Sequence, residues 1–161
     1  MTTNEYNEIV EKYADRLFRY ILKNVRDRDR ASDLVQDSFE KLWIRCRDIQ
    51  FSKAKSYLFS IAHNTMVDSI RKEKRQIVTD VADMPVIADS GHYSDIKEVL
   101  DEGLRRLTEI QRSVILLRDY EGYSYEEIGE ITGLNESQVK VYIYRARVFL
   151  KNYIGQIERV I

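Results

Sequence analysis

At 161 residues and 43% hydrophobic, the chain can bury a moderate core in one domain or in two small ones. A single Pro, six Gly and a one-third share of charged residues favour an all-α protein, and the lone Cys46 excludes an internal disulfide, which fits a reducing compartment. The polar N-terminus has no apolar signal core and no run approaches the roughly 18 apolar residues that span a bilayer, so a soluble cytoplasmic protein is expected.

The formal charge of -1 hides an uneven distribution. Residues 1–75 carry 16 Lys and Arg against 12 Asp and Glu, residues 76–100 carry one Lys against five acids, and residues 134–161 carry five bases against two acids. Basic ends flanking an acidic middle limit nonspecific sticking without masking either end.

In chain order, the first predicted helix runs from about Asn4 to Asn24, where Ile9, Tyr13, Leu17, Tyr20 and Ile21 recur at helical spacing. A second starts near Asp29 and runs past Trp43. Its apolar stripe is Leu34, Val35, Phe39, Leu42, Trp43 and Cys46, and its outside carries Asp33, Gln36, Asp37, Glu40 and Lys41. An acidic face on an otherwise basic module asks for a basic protein partner, although a charge run is also what a solvated face looks like.

The third helix spans about Ser56 to Lys74, with Leu58, Ile61, Ala62, Thr65, Met66 and Ile70 on one arc and Tyr57, Ser60, His63, Asn64, Val67, Asp68 and Arg71 opposite. Aromatics interleaved with bases suit single-stranded nucleic acid: a ring stacks on a base, and Lys53, Lys55, Arg71, Lys72, Lys74 and Arg75 meet phosphates. Asn64 offers an amide to the hydrogen-bonding edge of an unpaired base. The plain alternative places Tyr57 and Phe59 in a core and makes RKEKR a charged helix end. Residues 76–95 hold the only Pro and no sustained period, and read as a flexible acidic linker between domains at 1–75 and 96–161.

The most informative stretch is Ser124 to Lys151. Ser124 and Glu127 have capping-box spacing, Gly133 is the natural left-handed stop, and Asn135 with Gln138 opens the next helix after Leu134. Helix, Gly-containing turn, helix is a helix-turn-helix, so DNA is the expected partner. On its second helix Val139, Tyr142, Ile143, Ala146, Phe149 and Leu150 form the face to be buried. Glu136, Ser137, Lys140 and Val141 are candidates for major-groove base edges, with Arg145, Arg147 and Lys151 for phosphates and Tyr144 on the same exposed face.

The layout as a whole, DLVQDSFEKLW, then FSKAKSYLFSIAHNTMVDSIRK, a linker, then LDEGLRRLTEIQRSVILLRDYEGYSYEEIGEITGLNESQVKVYIYRARVFLKNYI, resembles an extracytoplasmic-function sigma factor of the sigma-70 family, of the minimal two-domain type. The resemblance implies a bacterial RNA polymerase subunit that directs promoter recognition and transcription initiation. Asp33, Gln36, Asp37, Glu40 and Lys41 would dock on the clamp coiled coil of the core enzyme. Tyr57, Ser60, His63, Asn64, Asp68, Arg71, Lys72 and Arg75 would hold the melted minus-ten element. Glu136, Ser137, Lys140, Val141, Tyr144, Arg145, Arg147 and Lys151 would read the minus-thirty-five element as duplex. The resemblance also admits an anti-sigma factor as a further partner. The chain departs from the family pattern at Tyr57, where Trp is common, at Ser60 and His63, where Arg is common, and at Thr108, where Pro often stands.

The alternative is a helix-turn-helix regulator that binds DNA without being a polymerase subunit, but the N-terminal half has neither a Gly-rich phosphate loop nor the strands of a receiver domain. An enzyme is disfavoured because His63 and His92 are isolated and no carboxylate pair or ligand spacing converges, so no catalytic residue, metal or cofactor is expected.

Overall fold

The computed structural model describes residues 1–79 and 96–160, with side chains to 76 and 157. Every regular element among them is helical. The N-terminal module comprises α1 (Thr3–Val25), α2 (Arg28–Ile44) and α3 (Ala54–Thr79), with short 3-10 turns over Cys46–Asp48 and Phe51–Lys53 reversing the chain between α2 and α3. Local chemistry sets the boundaries. Thr2 and Glu5 form a reciprocal capping box at the start of α1, and Arg26 ends it in a left-handed turn at φ 58°. Asp27 then caps α2 by accepting from the Arg30 amide. The three helices pack around Leu17, Tyr20, Ile21, Leu42, Leu58, Phe59 and Met66, all fully buried.

The C-terminal module comprises α4 (Ile96–Arg106), α5 (Glu109–Ile115), which widens into a π-helical turn over Leu116–Tyr120, α6 (Tyr125–Thr132) and α7 (Glu136–Val160). Thr108 and Gln111 cap α5 reciprocally, so the Thr standing in place of Pro makes its own start signal. α4 lies close on α7 because Gly103 has no side chain: a Cβ there would come within 2.8 Å of the Leu150 Cδ2.

The two modules pack against each other, chiefly α3 against α6, with α1 against α4 and α5. Phe59 meets Tyr123 edge-on at 5.2 Å between ring centroids. Arg112 Nη1 donates to the Asn24 carbonyl at 3.0 Å, while its other nitrogens bind the carbonyls of Leu104 and Leu107. A further tie is electrostatic. Glu121, its side chain 1% exposed, accepts from Arg16 Nε at 3.0 Å and lies 3.5 Å from Arg19 Nη2.

Three expectations shift. α3 runs on to Thr79, so the first four residues of the expected linker are helical, and its remainder, 80–95, lies outside the described residues. Trp43, expected in the buried stripe of α2, is 48% exposed and meets Tyr6 edge-on at 4.9 Å. Phe149 on α7 is likewise partly exposed and stacks on Tyr153 instead of entering the core.

Candidate nucleic-acid and polymerase interfaces

The helix-turn-helix is built by α6 and α7. Ser124 and Glu127 cap α6 reciprocally, Gly133 ends it at φ 80°, and Asn135 and Gln138 exchange hydrogen bonds at 2.8 and 3.0 Å to start α7. Gly129 permits the tight turn, since a Cβ there would sit 2.8 Å from the Leu134 carbonyl oxygen. Val139, Ile143, Ala146 and Leu150 are buried, which turns Glu136, Ser137, Lys140, Val141, Tyr144, Arg145, Arg147 and Lys151 to solvent. They differ in freedom. Lys140 pairs with Glu136 at 3.3 Å, an exposed intrahelical contact that a DNA partner displaces cheaply. Arg147 is held by both Asp119 oxygens, at 2.6 and 3.2 Å, which favours its charged form. Arg145 and Lys151 make no ion pair with any described residue.

The expected minus-ten set is divided by the packing of the modules. Tyr57, Asn64 and Asp68 line an open cleft of about 500 Å³ whose far wall is the last turn of α2, with Lys41, Ile44 and Arg45. Asn64, Asp68 and Arg71 also border a second cleft of about 630 Å³, between α3 and α5. His63 lies at the wall of this second cleft, and Ser60 lines neither. The Ser60 hydroxyl donates to the Glu130 carbonyl of α6 at 3.3 Å. His63 is buried at 4% exposure with its Nδ1 3.2 Å from the Tyr20 hydroxyl, and burial pushes its pKa down to about 4, so the imidazole is neutral at pH 7. Arg71, Lys72 and Arg75 are exposed near the end of α3.

On α2, Asp33, Gln36, Asp37 and Glu40 face solvent, and the three acids make no ion pair with any described residue. Beside them Trp43 and Ile44, 48% and 74% exposed, add apolar surface that periodicity had assigned to the core or passed over. Lys41 leaves this face, its Nζ donating to the Thr65 Oγ1 of α3 at 2.9 Å. Among the described residues no group of three or more His, Cys, Asp or Glu is placed to hold a metal, and no helix is long and apolar enough to cross a membrane.

Two helical modules, one an exposed helix-turn-helix and the other presenting an acidic helix beside a basic one, define a two-domain transcription protein. Comparison with known proteins gives its family. Residues 9–76 match the family model Sigma-70 region 2 and residues 97–150 match Sigma-70, region 4. The RNA polymerase sigma factor SigV of Bacillus subtilis is 33% identical over 132 residues, covering 80% of this chain and 78% of that protein. The extracytoplasmic-function (ECF) sigma factor SigM of the same organism is 28% identical over 152 residues, covering 90% and 92%. The sigma factor RpoE of Bartonella quintana, solved in complex with the anti-sigma factor NepR, superposes with a TM-score of 0.79 at 25% identity, over 95% of this chain and 98% of that one. The chain belongs to the sigma-70 family and is an RNA polymerase sigma factor of the extracytoplasmic-function type.

Proposed function

We propose that this sigma factor works in the cytoplasm as a non-catalytic subunit, docking on the clamp coiled coil of core RNA polymerase through Asp33, Gln36, Asp37 and Glu40 of α2. In this reading Tyr57, Asn64 and Asp68 receive the melted minus-ten strand, with Arg71, Lys72 and Arg75 on its phosphates. Ser60 and His63 join them only when the modules part. Extrusion of a base costs roughly a few kcal/mol, so a preformed cleft that accepts certain bases turns melting into a sequence test. Residues Glu136, Ser137, Lys140 and Val141 of α7 read the minus-thirty-five duplex, flanked by Tyr144, with Arg145 and Lys151 on phosphates. Region 2 supplies one module, at about 1–75, and region 4 the other, at about 96–161. Their tether makes the second DNA contact effectively intramolecular. An anti-sigma factor is the natural regulator, since the solved relative RpoE is held by one.

The observation that carries this reading is α7: four apolar residues are buried on the helix-turn-helix core while the groove-reading residues all face solvent. Gel filtration with core RNA polymerase tests it. Co-elution at about one chain per core is expected. Charge reversal of Asp37 and Glu40 to Lys should abolish co-elution while the circular-dichroism melt stays intact. Full retention of core by that variant would show the acidic face to be merely solvated, and failure of the unmodified chain to co-elute while still binding duplex would leave a plain DNA-binding regulator.

A further inference from the structure

Beside Tyr57 and Asn64, none of the described α3 residues lining the cleft with α2 is a Lys or Arg. The facing helix supplies two. One turn apart at the end of α2, Lys41 and Arg45 form the opposite wall of the 500 Å³ cleft, and both reach across to α3. Lys41 Nζ donates to Thr65 Oγ1 at 2.9 Å, and Arg45 Nη1 donates to the Tyr57 hydroxyl at 3.1 Å. Both partners are neutral hydroxyls, and neither cation makes an ion pair with any described residue. Each bond therefore aims a positive charge without cancelling it, and each side chain keeps further N–H donors. Among the described residues Asp68 is the only acid lining the cleft.

We infer that Lys41 and Arg45 bind backbone phosphates of the opened non-template strand, so that α2 supplies the positive charge that α3 does not bring to this cleft. The inference rests on the strand-opening role proposed for α3. The cleft then has two chemistries suited to one nucleotide: Tyr57 and Ile61 offer a flat or apolar surface to the base and Asn64 its amide, while the two cations hold the phosphates on either side. It also moves Lys41 from the polymerase face to the DNA face. Lys41 follows Glu40, but a single step of about 100° around the helix is enough to change faces.

The test uses holoenzyme assembled from core polymerase and the full chain, and a fluorescent single-stranded oligonucleotide of the non-template strand of a promoter that this holoenzyme transcribes. Its affinity is measured from low to high KCl. Each phosphate contact on a single strand contributes about 0.7 to the log–log salt slope, so Lys41→Ala and Arg45→Ala should each flatten it by about that amount. Lys41→Arg and Arg45→Lys should restore it, and core affinity should be unchanged in all four. Reduced core affinity in Lys41→Ala with an unaltered slope would return Lys41 to the polymerase face and overturn the inference. So would unaltered slopes and core affinity in both alanine variants. Asn64→Ala with permanganate footprinting separates the two levels. If that variant opens promoter normally, the role of α3 itself fails; if it opens poorly while the slopes stay put, only the assignment of Lys41 and Arg45 fails.

Discussion

The two helices proposed to face DNA differ in how much of their surface the fold leaves available. α7 has one buried side and one free side. α3 is held on two sides: Leu58, Ala62 and Met66 pack into its own module, while Phe59, Ser60 and Lys55 meet α6 and Tyr123 of the other. What stays open is the strip through Tyr57, Asn64 and Asp68 and the basic end from Arg71 on. On the proposed roles, the duplex-reading surface is therefore complete in the packed molecule, whereas Ser60 and His63 on α3 are engaged at the seam between the modules. One tie across that seam is Glu121.

Removing the cations of that tie should have the largest effect. Arg16→Ala with Arg19→Ala leaves the Glu121 carboxylate buried without a counter-charge, a situation that typically costs about 3–5 kcal/mol. The module interface should give way before either helical core does. Hydrogen exchange should then rise along α3 and α6 and stay unchanged along α7, and small-angle scattering should report a larger radius of gyration. Adding Glu121→Gln to the same chain removes the stranded charge and should recover part of the compactness. An unchanged radius and unchanged exchange in the double variant would show that the aromatic contact of Phe59 with Tyr123 holds the seam without Glu121.

What could be read from the sequence and what could not divides along the same line. The caps of α5, α6 and α7 were legible because each pairs residues three apart: Thr108 with Gln111, Ser124 with Glu127, Asn135 with Gln138. The inward face of α7 was legible in outline because one partner surface leaves one periodic stripe. α3 misled the same reasoning, since a helix packed on two sides has two buried stripes. The second is set by contacts as remote as Ser60 with Glu130 and Arg16 with Glu121, which no local period records. Trp43 was misjudged for a related reason. Periodicity ranks residues by apolarity around one helix and cannot say whether a neighbouring helix covers the turn where it sits.

His63 gives the next test, smaller in size and specific to the covered side of α3. Its imidazole takes a proton at about 6.5 when exposed but only at about 4 in the fold. Above pH 7 it is neutral in both states and contributes no pH dependence. Between 6.5 and 4 the unfolded chain binds a proton that the folded chain refuses, so stability falls on acidification by up to about 1.4 kcal/mol per pH unit. Chemical denaturation of the protein and of His63→Gln across pH 7.5 to 4.5 isolates the effect: the difference between them should be constant above pH 7 and should shift steadily in favour of the Gln variant below 6.5. Parallel profiles would mean that His63 reaches water and belongs to the open side after all.

The smallest expected effect sharpens the account of α7. Arg145 and Arg147 stand two residues apart and both are exposed, but Arg147 is clamped by Asp119 while Arg145 has no ionic partner among the described residues. An ion pair this open to solvent is worth about 0.2–1 kcal/mol, so Arg147→Gln should lower stability by less than about 1 kcal/mol. It should leave the salt dependence of duplex binding nearly unchanged, because the guanidinium is spent on holding the π-helical turn against α7. Arg145→Gln should do the reverse, leaving stability alone and flattening the log–log salt slope for duplex by about 0.9, the contribution of one phosphate. If both variants flatten the slope equally, the clamp opens on DNA, and Asp119 serves as a gate that Arg147 leaves for the phosphate. Asp119→Asn would then raise duplex affinity by freeing the arginine in advance.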